Sequence, residues 1–259
     1  MHIAAPQNTM ATHDRNEGGP SERTGAGTWT GDGSIVRVGE SRQLATRVLE
    51  ERKLIHRNDS VRPQADAFRG LRTRLLALAG ERNFVTLVAS VRSGCGGSFV
   101  ARNLAAAFAF DEARTALLVD CDAIHPVQHK VLGVDPTNGG LMDYLDGHVA
   151  NIADVQYETG IPRLRLTPCG SQRETAGEYF SSQRMRTMVD SLRASQATHH
   201  LILDGPAALA SPDARILSDL ADLVVVVAGY GQATIEDIDA AASGFDPAKL
   251  AGIVFNDIH

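Results

Sequence analysis

The sequence predicts an α/β fold, a doubly wound and mostly parallel sheet sandwiched between two layers of helices. Three features of the chain point to it. From Phe84 onward, short apolar runs alternate with loops and segments of helical period, as parallel strands joined by helical crossovers require. Several runs are nearly continuous Val, Leu and Ile, such as Leu223-Val224-Val225-Val226-Val227, the composition of strands buried on both faces. The glycines Gly94, Gly96 and Gly97 fall between the first apolar run and the first helical one, where such a sheet carries a ligand loop.

Residues 1–34 are rich in Gly, Thr, Ser, Asn and Pro with little apolar periodicity. They bury too little to offset the entropy of ordering and read as a disordered arm. Residues 35–80 form a helical extension. Within it, 44–54 and 64–78 carry apolar residues at helical spacing among many arginines, separated by the turn-forming Arg57-Asn58-Asp59-Ser60. The stretch from Arg42 to Arg74 is locally basic, the pattern of a solvated helix face. The core spans 81–259. Its strands are expected over 84–90, 115–120, 164–168, 201–204, 223–228 and 252–255, and its helices over 99–110, 141–146, 184–194, 214–220 and 235–243. A chain of 259 residues that is 43% hydrophobic can bury one substantial core.

Composition narrows the function. A net charge of -6 argues against a nucleic-acid partner. The 3 cysteines, Cys95, Cys121 and Cys169, are odd in number and lack metal-ligand spacing, which fits a reducing compartment and excludes a zinc motif. No stretch approaches the roughly 20 apolar residues of a membrane span, and no secretory h-region opens the chain, so a cytoplasmic location is expected.

Ser90-Val91-Arg92-Ser93-Gly94-Cys95-Gly96-Gly97-Ser98 lies between a strand-like and a helix-like run, the place of a phosphate-cradling loop. Glycines let backbone N–H groups turn inward, and the following helix N-terminus favours bound phosphate. Such a loop ordinarily ends Gly-Lys-Ser or Gly-Lys-Thr, with lysine on the terminal phosphates and the hydroxyl on magnesium. Here Gly97 occupies the lysine position and Ser98 keeps the hydroxyl, so the motif is a degenerate Walker A in a P-loop NTPase-like core. Gly94, Gly96, Gly97 and Ser98 are the nucleotide-binding candidates.

Three aspartates stand at strand ends, where ligands of open parallel sheets gather. Asp120 and Asp122 follow Thr115-Ala116-Leu117-Leu118-Val119, and Asp204 follows Leu201-Ile202-Leu203. Ser98, Asp120 and Asp204 are the magnesium candidates, while Asp120, Asp122 and Arg92 are the catalytic ones. The alternative is that Asp120 and Asp204 merely cap the loops that follow them, but three aspartates at strand ends downstream of the glycine loop favour a nucleotide site.

Together these residues resemble the cytoplasmic domain of the bacterial tyrosine autokinases that regulate capsule and exopolysaccharide synthesis, themselves relatives of partition and division-site ATPases. The likeness runs from about Val61 onward. Asp66-Ala67-Phe68-Arg69-Gly70-Leu71-Arg72 resembles the family's Glu-x-x-Arg-x-x-Arg helix, which implies that Asp66, Arg69 and Arg72 contact a neighbouring copy in a homo-oligomer. Leu118-Val119-Asp120-Cys121-Asp122-Ala123 is similar to its second acidic motif, and Leu201-Ile202-Leu203-Asp204-Gly205-Pro206 to its magnesium-side motif. Leu166-Thr167-Pro168-Cys169-Gly170, then Glu178-Tyr179-Phe180 and Ser182-Gln183-Arg184-Met185, match a further family stretch.

The departures matter as much. Besides Gly97 for lysine, Ile124 stands where the second acidic motif has arginine, and Asp66 replaces the glutamate. The sequence stops at His259, a few residues after the last expected strand, and the 4 tyrosines, Tyr144, Tyr157, Tyr179 and Tyr230, are scattered, so phosphorylation of a tyrosine-rich tail is not expected. The resemblance thus implies a cytoplasmic regulator of exopolysaccharide or capsule biosynthesis or export with impaired or absent phosphotransfer. It implies action through a membrane polysaccharide co-polymerase, a Wzc/Wzz-like transmembrane adaptor that keeps the chain at the inner face of the plasma membrane. ATP or ADP with magnesium is the implied cofactor, more weakly held. Two alternatives stay open: an atypical kinase or ATPase that uses Arg92 in place of the lysine, and a partition or positioning ATPase-like protein. Cys95 and Cys121 are expected near one another, as fillers beside the site or as a thiol pair. His199 and His200 are assigned no role.

Overall fold

A computed structural model describes residues 44–56, 62–80, 82–173, 175–195 and 200–257. The expected arm over 1–34 and the turn at 57–60 lie outside the described residues. In chain order the elements are α1 (Thr46–Glu51), α2 (Arg62–Ala79), β1 (Phe84–Ser90), α3 (Gly97–Ala109), β2 (Ala116–Asp120), α4 (Gln128–Leu132), α5 (Leu141–Leu145), a 3-10 turn (Ile152–Val155), β3 (Tyr157–Glu158), β4 (Leu164–Thr167), α6 (Gly177–Phe180), α7 (Gln183–Ala194), β5 (His200–Asp204), α8 (Asp213–Leu220), β6 (Leu223–Gly229), α9 (Ile235–Ala242) and β7 (Leu250–Asn256).

The strands form one sheet in the order β3-β4-β2-β5-β1-β6-β7. All neighbours are parallel except β3, which pairs antiparallel with β4. The doubly wound α/β expectation is therefore met. Period-two alternation divides each central strand between two cores. Val85, Leu87 and Ala89 of β1 and Val224, Val226 and Ala228 of β6 face one cluster with residues of α5, α7 and α8, while Phe84, Val88, Val225 and Val227 face the other with α2 and α3. Every residue of β1 and β6 is buried, which accounts for the continuous apolar run of β6 and for a β1 interrupted only by the small polar Thr86 and Ser90. Strand β1 lies between β5 and β6, so the loop that leaves it emerges at the centre of the sheet's carboxyl edge.

Some boundaries differ from the sequence expectation for identifiable reasons. Helix α1 covers only Thr46–Glu51 within the expected 44–54, since Ala45 supplies no side-chain cap and Lys53 adopts a φ of 52° that ends it. Leu54, Ile55 and His56 then run into the core. Strand β7 begins two residues before the expected 252, because a register shift at Val224/Val225 and a φ of 153° at Gly252 let it continue. The short β3, α4 and α6 were not anticipated; each has too few residues to show a period. His199 lies outside the described residues. His200 is buried in β5, where its ring stacks on Phe108 of α3 at 4.1 Å and meets Phe84 edge-on at 5.0 Å.

The segment after α1 is tied down by one buried amide. Asn103 Oδ1 accepts the Ile55 N–H at 2.8 Å, and its Nδ2 donates to the carbonyls of Lys53 at 3.1 Å and Phe99 at 3.0 Å. Removing it leaves buried backbone groups unpaired. Asn103→Ala is expected to lower unfolding free energy by about 1–3 kcal/mol and to strip hydrogen-exchange protection selectively from Ile55. Unchanged protection there would show that the amide does not anchor this segment.

Candidate functional site

The loop after β1 takes its shape from two glycines. Gly94 and Gly96 both have φ of 88°, a left-handed conformation that costs little only without a Cβ. A Cβ on Gly96 would also collide with Asn256 Nδ2. That Asn256 amide reaches from the end of β7 to donate to the Cys95 carbonyl at 3.1 Å. Gly96 is the N-cap of α3 and offers no capping side chain. The first-turn N–H groups of α3 therefore point toward the cleft without side-chain acceptors, which suits an anion.

The cleft itself has a volume of about 290 Å³. Ser90, Ser93, Gly94, Gly96, Gly97 and Ser98 form one wall, Asp122, Ile124 and His125 a second, and Gly205 to Ala207 a third. The structure thus brings the glycine candidates, Ser98 and Asp122 together. None of the described residues lining it is lysine or arginine. Ile124 is exposed at its mouth. Asp122 Oδ1 accepts the N–H of His125 at 2.9 Å and of Ile124 at 3.3 Å, so it also shapes the turn on which it sits.

Asp120 and Asp204 are paired across β2 and β5 in register, and both are wholly buried. Burial pushes Asp120 well above the usual carboxylate range and the neighbouring Asp204 charge adds to this, against the backbone N–H groups of Gln128 and Asp122. Burial likewise raises Asp204 to about 7, with the side chains of Gln128 and Ser98 holding it down. Gln128, absent from the sequence expectation, is the hub. Its backbone N–H donates to Asp120 Oδ2 at 3.1 Å, and its Nε2 donates to Asp204 Oδ2 at 2.6 Å and to the Ser98 carbonyl at 2.9 Å. Asp204 Oδ1 is buried without a hydrogen-bond partner. Beside the Ser98 hydroxyl it makes an oxygen donor set that fits a hard divalent cation. Asp120 has its oxygens occupied by backbone donors and fits a supporting place.

Arg92 points elsewhere. Its Nε donates to Asp237 Oδ2 at 2.9 Å and its Nη2 to Asp237 Oδ1 at 2.6 Å. This fork holds Asp237 well below the usual carboxylate range and raises Arg92 in turn. Asp237 also belongs to the capping box of α9 with Thr234, so the guanidinium fastens the loop to that helix. Arg102 was missed, although it lies four residues beyond Ser98, on the same helix face. Its guanidinium carbon is 5.2 Å from the Phe99 ring centroid and its Nε is buried without a hydrogen-bond partner. Burial lowers its pKa while the Asp204 charge acts in the opposite direction. It was detectable as a lone charge in an otherwise apolar helix.

The oligomerisation candidates divide. Asp66 and Arg69 pair with one another on the exposed face of α2 at 2.7 Å, whereas Arg72 Nη1 donates inward to the Ala107 carbonyl at 2.8 Å. Cys95, Cys121 and Cys169 are all free and buried, and burial pushes the Cys121 and Cys169 thiols up. Among the described residues no group of three or more His, Cys, Asp or Glu is arranged to hold a metal. No described helix is long and apolar enough to cross a membrane.

No protein-family model matches the chain. Individual proteins do. Tyrosine-protein kinase wzc of Salmonella typhi is 31% identical over 196 residues, which are 74% of this chain and 27% of that protein. Tyrosine-protein kinase CpsD of Streptococcus agalactiae is 26% identical over 194 residues, 74% of this chain and 82% of that protein. This chain is a homologue of the bacterial tyrosine kinases. In three dimensions this kinase homologue matches the kinase domain of Escherichia coli tyrosine kinase ETK with a TM-score of 0.70 and 22% identity, covering 83% of this chain and 88% of that one. It shares its fold with the cell-division ATPase MinD of Pyrococcus furiosus at a TM-score of 0.55 and 24% identity, over 67% of this chain and 71% of that one. The P-loop NTPase-like fold is thereby established. The homologue spans only about a quarter of the length of the longer relatives, as the 27% coverage of the Salmonella protein shows.

The buried carboxylate pair makes stability depend on pH. The folded Asp204 value of about 7 exceeds its unfolded value of about 4. The folded chain therefore holds the extra proton between those limits, and its stabilisation is complete below about 4 and lost as pH rises through about 7. Melting temperature is expected to fall as pH increases from about 5 to about 7.5, a change worth on the order of 1–3 kcal/mol. Asp204→Asn should flatten the profile; a wild-type profile that rises over this range would contradict the protonated pair.

Proposed function

We propose that this kinase homologue is a regulator of exopolysaccharide or capsule biosynthesis or export whose phosphotransfer is impaired. The observation that carries it is the charge of the cleft. Gly97 stands at the lysine position, no described lysine or arginine lines the space, and Arg92 is held by Asp237. Transfer of a phosphoryl group depends on cations that neutralise its developing charge. Backbone N–H groups, the start of α3 and the oxygens of Ser98 and Asp204 still suit binding of ATP or ADP with magnesium, more weakly than a lysine-bearing loop would bind it. By family resemblance the chain acts through a membrane polysaccharide co-polymerase at the inner face of the plasma membrane. The same resemblance supports self-association through α2, where Asp66 and Arg69 remain exposed.

A lysine can be restored. Gly97 needs no left-handed φ, and a Cβ there would lie 3.1 Å from Ser90 Cβ, so Ser90 must yield by a few tenths of an ångström. Calorimetric titration of ADP and ATP with magnesium is expected to show binding roughly tenfold or more tighter for Gly97→Lys than for the parent, the scale of a charged hydrogen bond. Ordinary tyrosine-kinase turnover by the parent would overturn impaired phosphotransfer.

The alternative in which Arg92 replaces the lysine is tested separately. Arg92→Ala is expected to leave nucleotide affinity within about threefold, the change of a rim contact, while loosening the start of α9. Loss of ATP turnover in that variant, with the fold intact, would restore the arginine to the site.

A further inference from the structure

The cleft carries one side chain that can become a full cation. Among the described residues that line it, Asp122 is the acid and His125 the base, and the rest are glycine, serine, proline or apolar. A phosphate cradle without its lysine offers backbone N–H groups and a helix terminus, which are partial charges. Histidine is the side chain that ordinarily gains a whole charge between about pH 5 and pH 8.

The turn that carries His125 is fixed on both sides. Its backbone N–H donates to Asp122 Oδ1 at 2.9 Å, and the buried Pro126 that follows restricts the backbone of His125 itself to extended angles. The exposed imidazole is thereby held on the cleft wall with Asp122 and Ile124. The charged groups around this wall are mostly acids. Asp122 shares the turn, Asp120 and Asp204 are buried at the neighbouring strand ends, and Asp213 at the start of α8 is raised in part by the Asp122 charge. The residues of the glycine loop and of the Gly205 to Ala207 wall that line the cleft carry no charge. Gln172, which reaches the Ile124 carbonyl at 3.5 Å, is neutral, and Arg173 beside it is paired with Asp146. Arg102 acts on Asp204 and does not line the cleft.

We propose that His125 supplies the positive charge for a phosphate-bearing ligand in this cleft, so that binding of the anion takes up a proton from solvent at the imidazole. This deepens the reading of the cleft as a nucleotide site and rests on it. A lysine would hold its charge throughout the physiological range, whereas this charge is present at lower pH and lost as pH rises. Occupancy of the cleft therefore follows acidity.

The full chain tests this by calorimetric titration of ADP with magnesium at about pH 6 and about pH 8. His125→Gln keeps a polar side chain without the charge, and His125→Lys keeps the charge at both pH values. Titration of the nucleotide and of the buried carboxylates is common to all three proteins and cancels when they are compared at one pH. At pH 6 the parent is expected to bind about three- to fivefold more tightly than His125→Gln, the scale of a partly exposed ion pair, and at pH 8 the two should bind alike. His125→Lys should bind more tightly than His125→Gln by a similar factor at both. Titration in two buffers of different ionisation enthalpy should show greater proton uptake by the parent than by His125→Gln, which a merely structural histidine would not produce. A ratio of parent to His125→Gln affinity that is the same at both pH values would overturn the proposal and leave the nucleotide cleft standing. Absence of ADP binding by all three proteins would overturn both.

Discussion

Two carboxylates, Asp120 and Asp204, lie side by side on adjacent strands with no exposure to water, and the surrounding structure is organised by the need to tolerate them. Like charges at this separation cannot both ionise in a buried place without compensation. Here compensation comes from backbone N–H groups, an amide, a hydroxyl and the field of the half-buried Arg102 rather than from a direct ion pair. Each is weaker than a full counter-ion, so the pair keeps a proton to higher pH than ordinary carboxylates. The site is built to accept positive charge and carries little of its own.

The loop beside that pair is fixed from three directions by the protein itself. Arg92 fastens its start to α9, Asn256 holds the Cys95 carbonyl from β7, and Gln128 holds the Ser98 carbonyl from α4. A glycine loop held in this way is preorganised, and little ordering remains for a ligand to impose. The form of the loop therefore does not depend on a lysine in it. The fork between Arg92 and Asp237 has a second effect, since it removes from the cleft the one loop cation that the sequence offered.

Much of this could be read in the sequence because the relevant signals were local or periodic. Short apolar runs marked β1, β2 and β6; the glycine spacing marked the loop, and Asp120 and Asp204 were found at strand ends as expected. The residues that escaped notice act through contacts distant in sequence. Gln128 sits in a five-residue helix with no discernible face, and nothing short of the sheet register shows that it meets Asp204. Asn256 and Asn103 read as ordinary polar residues until the partners 161 and 48 positions away are known. The fate of Arg92 depended on an acid on another helix, which spacing along the chain does not reveal.

The clamp from Asn256 to Cys95 also bears on how the protein is made. The loop begins at Ser90, yet the strands on either side of β1 and the amide that holds its Gly96 turn are supplied by residues translated more than a hundred positions later. Helix α3 needs only local contacts, whereas the turn before it is also held by a contact of long sequence separation. The cleft therefore owes its shape to contacts that reach across most of the sheet, and its loop gains its full set of tethers only when β7 is docked beside β6.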